Sequence, residues 1–318
     1  MSRLADAWRS CGLYAVLLTP IVLLFAFNPV FRQPGNLFNL WQQSSIIGLL
    51  AVGQTLVIIL GGFDLSVGAV AALAGVLCYL AFGLSDAPAM IAAGIVFSIV
   101  ACALVGVVNG LLVTKLRITP LIATLGVLSL VRGFVLVISD GRLVYAEGYG
   151  YSLAEFLQGS FLGMPVAGLL FFVMAGLLWF LLRGTVFGQC IFAVGGNEKA
   201  ALLAGLPVNK IKIATYALCS VFAGIGGIVL AARTASALPN AGVNYELQAI
   251  TAAVIGGATL GGGRGSIPGT VIGVLLLTAI GNGLNLYNIS AFWQTAVTGA
   301  ILLIAVGVSM ATDQDKGR

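Results

Sequence analysis

Chemistry in an apolar chain falls to its few polar side chains, and here they exclude more than they offer. The 318 residues contain no histidine, which removes His-based nucleophilic triads, histidine proton relays and most zinc sites. Cys11, Cys78, Cys102, Cys190 and Cys219 form no C-x-x-C pair and sit mostly inside apolar runs. They read as small buried hydrophobes, not as disulfides or metal ligands. Two acids, Asp64 and Glu246, fall near apolar runs, each at an expected helix end. No His, Cys or carboxylate pair stands where an intramembrane enzyme needs one. The stretch IGGATLGGGRGSIPGTVIG (Ile255 to Gly273) resembles a phosphate cradle in its backbone N–H groups. The pattern G-x-x-x-x-G-K-[ST] is nevertheless absent, and no lysine occurs between Lys212 and Lys316, so nucleotide binding is not expected. The reading is of a chain with no catalytic residue, no metal site and no cofactor.

Asp64 is the one acid of GQTLVIILGGFDLSVGAV (Gly53 to Val70). Gly61 and Gly62 end one helix there, and Asp64 or Ser66 can cap the next. This makes a capped hairpin at the cytoplasmic face, where an acid costs little; the other reading is a discontinuous element lining a path, with Asp64 meeting substrate or a gate. Arg132, in TPLIATLGVLSLVRG (Thr119 to Gly133), falls in the outer third of its helix, where it snorkels outward or pairs with an acid. In the third glycine-rich stretch the better account is a close helix–turn–helix at the cytoplasmic face, with Pro268 opening the following helix.

The elements that must hold these residues are membrane helices. Sixty per cent of the residues are hydrophobic and 8% charged, and the mean hydropathy is +1.10. Soluble domains carry about 25% charged residues. Apolar runs near 13–30, 42–60, 65–83, 88–113, 119–138, 164–182, 211–232, 246–262, 266–287 and 289–310 are ten candidate helices. The start has a basic segment like a signal peptide but no convincing cleavage site follows, so it is taken as a retained first helix. With the N-terminus in the cytoplasm, eleven Lys and Arg fall in inner loops and three (Arg32, Arg142, Arg233) in outer ones, which puts both termini inside. The net charge of +5 is thus topological and does not point to nucleic acid. The fold expected is an all-α polytopic membrane protein of about ten spans, a single transmembrane domain over 1–318. The longest outer segment, Ser139 to Gly163, is either a docking surface in the periplasm or a structured cap.

The cytoplasmic loop of about 183–212 carries Arg183, Lys199, Lys210 and Lys212 and contains a helix too short to cross a bilayer. Asn197 is a good N-cap, Glu198 sits in the first turn, and Ala200 to Ala204 are good helix formers. Gly205 fits the left-handed position after the helix and Pro207 stops continuation. A short capped helix on the basic side of a membrane domain reads as a handle for a soluble partner, or as a loop that happens to be helical.

Four stretches together carry a resemblance: GGFDLSVG, TPLIATLGVLSLVRG, GQCIFAVGGNEKAALLAGLPV and IGGATLGGGRGSIPGTVIG. In order and spacing they are similar to ribose-type ABC importer permeases, the membrane subunits of bacterial sugar uptake systems, from about Asn36 to the C-terminus. The resemblance implies that Asn197 to Leu206 is the coupling helix docking a separate ATP-binding-cassette ATPase subunit, with Glu198, Lys199, Leu202, Leu203, Gly205 and Leu206 at the contact. It also implies a second permease chain, alike or homologous, a periplasmic sugar-binding protein, and a place in the inner membrane of a bacterium. A neutral sugar calls for amides, and Gln42, Gln43, Gln54, Asn109, Asn282, Asn285 and Gln294 lie at or within the helices. Each is a path or gate candidate, as is Asp64, and each also suits interhelical hydrogen bonding. An ion-coupled secondary transporter is the alternative class. It needs intramembrane acids or histidines as coupling sites, and Asp64 and Glu246 are the acids that come near.

Overall fold

The computed structural model describes residues 18–84, 89–145 and 149–314. Arg3, Arg9, Cys11, Glu147, Lys316, Arg318 and the first residues of the opening apolar run lie outside them. Each of the ten apolar runs has a helix in its described part. These are α1 (Leu18–Phe27), α2 (Pro34–Ile59), α3 (Val67–Phe82), α4 (Ala89–Thr114), α5 (Pro120–Ile138), α7 (Val166–Gly184), α10 (Val208–Thr234), α11 (Tyr245–Ile255), α12 (Ile267–Leu286) and α13 (Ala291–Gln314). Among the described residues seven helices, α2, α4, α5, α7, α10, α12 and α13, are long and apolar enough to cross a membrane.

Starts and stops follow from local chemistry. Proline occupies the first turn of α2, α5 and α12, where its missing N–H costs no helical bond. Pro268 is preceded by Ser266, whose side chain accepts from Gly269 N at 3.4 Å. At the end of α2, Gly61 turns left-handed, with Gly61 N bonded to Ile58 O and Gly62 N to Val57 O. That double bond closes the last turn without a side chain. The α11 helix ends the same way, at Gly257. The apolar run 246–262 is therefore helical only to Ile255, the rest being glycine turn. Eleven residues rise only about 16 Å against a hydrocarbon core of about 30 Å.

The α2 helix is the axis of the bundle: 94% of its apolar window is buried, as expected of a helix hydrophobic on every face. The α10 helix packs along α2, α3 and α4. Backbones touch where side chains are missing. A Cβ on Gly227 would stand 1.9 Å from Ala71 O, and one on Gly106 would stand 2.4 Å from Tyr216 O. Close approach of this kind replaces the hydrophobic driving force that lipid withholds. At the periphery the pattern inverts. Only 6% of the α13 window is buried, and Phe97, Val100, Leu104, Leu130, Phe134 and Leu303 point outward from α4, α5 and α13. Apolar residues facing outward over whole helices are the surface of a polytopic membrane protein.

Two further helices stand where a loop was expected. The α6 helix (Tyr149–Gln158) caps one end of the bundle beside the short pairings β1 (Val144–Tyr145) with β4 (Ser236–Ala237) and β2 (Ser160–Phe161) with β3 (Met164–Pro165). At the opposite end α8 (Val186–Gly196) runs into α9 (Glu198–Leu203). The apolar face of α8 packs Ile191 and Val194 into the core, a signal hidden because Gly184, Gly188, Gly195 and Gly196 made the segment read as loop.

Candidate functional site

Three arrangements gather the candidate residues. The first is α9. Asn197 is extended and its side chain accepts from Ala200 N at 3.0 Å, which satisfies an orphan donor of the first turn. Glu198 reaches back to Lys212 of α10, 2.7 Å away, and so ties the cap to a long helix. After Ala204 the chain turns at Gly205, φ +81°, with Gly205 N bonded to Leu202 O and Leu206 N to Ala201 O. The helix is thus shorter than Asn197 to Leu206: six residues between an Asn cap and a left-handed glycine. Ala201 faces the bundle, while Leu202 is 64% and Leu203 90% exposed. Leu206 does not extend that surface, because it packs back against the core. Lys199 points outward beside the two leucines.

The second arrangement is buried. Asp64 is fully buried, which corrects the exposed hairpin expected for it. Its Oδ1 accepts from Ser66 N at 2.9 Å and from Ser66 Oγ at 2.6 Å, and Asn109 Nδ2 lies 3.3 Å from both carboxylate oxygens. Asn109 Nδ2 also donates to Ser66 Oγ at 2.9 Å, while its Oδ1 is buried without a partner. Gln54, with its amide turned to bond, pairs with Asp64 N and O at 3.1 Å each. Tyr216 Oη donates to Phe63 O at 3.3 Å. Burial drives the Asp64 carboxyl above the ordinary carboxylate range, and the Ser66 and Asn109 donors draw it back. Together these residues fasten the α2–α3 connector to α2, α4 and α10.

The third arrangement is a cavity of about 400 Å³ at the α6 end, walled by α2, α11, α12, α13 and the end of α10. Gln43, Asn244, Gln248, Asn285, Gln294 and Thr298 line it, with Arg233 and Tyr245 at its wall. Gln294 Nε2 donates to Asn285 Oδ1 at 2.8 Å. The rest of the lining is apolar, with Ile46, Ile47, Leu247, Leu277 and Leu284 among it; an apolar wall with a few convergent amides, hydroxyls and one guanidinium is the usual make-up of a small-molecule site. Asn244, left-handed (φ +66°) just before α11, and Gln248, on its first turn, were missed by sequence reasoning.

The remaining candidates go elsewhere. Asn282 exchanges two hydrogen bonds of 2.9 Å with Asn36, joining α12 to α2. Gln42 donates to Gln158 O at 3.3 Å. Arg132 makes no direct salt bridge, but Glu246 stands near enough for the two charges to act on each other; Arg132 Nη1 donates to Pro239 O and Ala241 O at 2.7 Å each, holding the turn that leads into α11. Among the described residues no group of three His, Cys, Asp or Glu is placed to hold a metal.

A mostly helical chain with, among its described residues, seven helices long and apolar enough to cross a membrane, a cavity at one end and two bare leucines at the other is built as a polytopic membrane protein. Residues 36–306 match the family described as branched-chain amino acid transport system / permease component, and the chain belongs to it. It is 42% identical over 298 residues to the ribose import permease protein RbsC of Bacillus subtilis (strain 168), covering 94% of this chain and 92% of that one. It is 40% identical over 295 residues to the Escherichia coli (strain K12) ribose import permease protein RbsC, covering 91% and 90%. It is 39% identical over 296 residues to the L-arabinose ABC transporter permease protein AraH of Azospirillum brasilense, covering 93% and 86%. The resemblance to ribose-type ABC importer permeases therefore extends over nine-tenths of the chain. No solved structure gives a significant match.

Proposed function

We propose that this chain is the membrane-spanning permease of an ATP-binding-cassette importer that carries a sugar into the cell across a bacterial inner membrane. Separate ATPase subunits dock on α9, a periplasmic binding protein delivers the sugar, and a second permease chain completes the pathway. The chain crosses about ten times with both ends inside, so that α9 is cytoplasmic and the amide-lined cavity opens outward. Sugar released at the outer face exchanges water for the amides of Gln43, Asn244, Gln248 and Asn285, a trade of hydrogen bonds nearly neutral in free energy. That neutrality suits passage, since a tight site would hold its cargo. ATPase closure pulls on α9 and shifts the permease between outward- and inward-open states. The names of the relatives make ribose and L-arabinose the first sugars to try.

The observation that carries this reading is Leu203, 90% exposed at the tip of a helix whose cap, ion pair and glycine stop keep it rigid. Two adjacent bare leucines on a rigid tip form an anchor for an apolar groove. In Leu203→Asp an unpaired charge enters that contact, at a cost of about 3 kcal/mol. The variant inserts normally, loses the ATPase on purification and takes up no labelled ribose or L-arabinose. Retention of both ATPase and uptake would falsify the docking role.

A further inference from the structure

The α9 helix begins two residues after a point where three connectors meet with nothing between them but backbone. Glycines supply all three: Gly61 after α2, Gly195 and Gly196 at the end of α8, and Gly262 and Gly263 between α11 and α12. A Cβ on Gly195 would stand 1.8 Å from Ile59 O and 2.9 Å from Gly263 N. A Cβ on Gly262 would stand 2.7 Å from Gly195 O and 2.9 Å from Gly61 Cα, and one on Gly263 would stand 2.8 Å from Gly196 Cα. Gly263 N donates to Ile59 O at 2.7 Å, so the α11–α12 turn is bonded to the last turn of α2. Gly262 and Gly263 are both left-handed, φ +82° and +73°, and the turn has this shape only with residues that tolerate that region.

Three of the helices joined at this junction, α2, α11 and α12, also wall the cavity at the far end of the bundle. Gln43 stands on α2, Gln248 on α11, and Thr278 and Asn285 on α12. Side chains between two elements absorb a displacement by changing rotamer, whereas touching backbones have no such freedom. Resting on the reading of α9 as the ATPase contact, we propose that the glycine junction is a rigid joint. It carries displacement of α9 directly to α2, α11 and α12, so that the walls of the sugar cavity move when the ATPase moves α9. The joint stays closed throughout the cycle and does not act as a hinge that opens.

The test uses the whole importer, with permease, ATPase and binding protein together, in right-side-out membrane vesicles loaded with ATP and given labelled ribose or L-arabinose from outside. Gly195→Ala wedges α8 away from Ile59 O. It keeps the ATPase attached and hydrolysing while uptake falls more than tenfold. Gly265→Ala meets side chains and no backbone, Ile59 Cγ1 at 2.5 Å, Ile59 Cδ1 at 2.9 Å and Ala258 Cβ at 3.4 Å, and uptake falls less than threefold. On α7, Gly176→Ala meets nothing within 4 Å and transports as the parent does. Uptake by Gly195→Ala within twofold of the parent overturns the proposal. Should Gly195→Ala fail to insert, Gly263→Asn decides. Asparagine tolerates the left-handed region, while its Cβ would stand 2.8 Å from Gly196 Cα and wedge the joint from the other side. With the ATPase attached and hydrolysing, uptake falls more than tenfold; uptake within twofold of the parent overturns the proposal. ATPase co-purification separates this from the reading beneath it. An ATPase still bound to Leu203→Asp refutes the role of α9, whereas normal transport by Gly195→Ala refutes only the joint.

Discussion

Asp64 is a carboxylate without water, and each neighbour answers that fact. Ser66 supplies two donors and Asn109 a third group spanning both oxygens. The unpaired Asn109 Oδ1 makes the site tolerant of one particular change. In Asp64→Asn the Ser66 donors still find an oxygen, and Asn109 turns its amide over to accept from the new N–H₂. Asp64→Leu leaves Ser66 N, Ser66 Oγ and one N–H of Asn109 buried without the carboxylate they met, at about 1–3 kcal/mol for each unmet group. Thermal unfolding in detergent therefore ranks the parent and Asp64→Asn close together and Asp64→Leu well below both. If Asp64→Leu melts with the parent, the hydrogen bonds around the carboxylate are not holding the α2–α3 connector.

At the scale of the element, α9 illustrates how little helix is needed when its ends are fixed. Six residues have too few internal bonds to be stable alone. Asn197, the Glu198–Lys212 pair and Gly205 compensate. Gly205→Val forces a β-branched residue into the left-handed region, a strain of about 1–2 kcal/mol or more. The variant frays the helix without altering Leu202 or Leu203. Limited proteolysis should cut within 197–207 faster than in the parent while the membrane domain stays intact, and ATPase association should weaken. An unchanged cleavage rate would mean that the glycine stop is not needed.

For the whole molecule, the decisive quantity is which end faces the cytoplasm. The end bearing α9 collects Lys115, Arg117, Arg183, Lys199, Lys210, Lys212 and Arg264, and the α6 end has Arg32, Arg142 and Arg233. The positive-inside bias then orients the bundle. Engineered cysteines at Tyr151 of α6 and Asn209 of α10 test this in intact cells with an impermeant reagent. Tyr151→Cys reacts from outside and Asn209→Cys only after permeabilisation. Labelling of Asn209→Cys from outside would invert the bundle and remove α9 from the ATPase.

Hydropathy, charge bias and cap chemistry act over a few residues, and so they were legible in the chain. They located the ten helical runs, the Asn197 cap, the Gly205 stop and the proline at the head of α12, and the four quoted stretches carried the family. What depended on the rotation of one helix against another was not legible. Asn36 and Asn282 are 246 residues apart in sequence, and their pairing joins α12 to α2. Asn285, three positions on, turns into the cavity. Asp64 read as a cheap exposed cap because its neighbours in sequence are a glycine turn. Only the approach of Asn109 and Tyr216 from α4 and α10 made it a buried anchor. The glycines of three distant connectors each signalled a turn. That the turns meet, backbone on backbone, was decided by close packing, which no local pattern encodes.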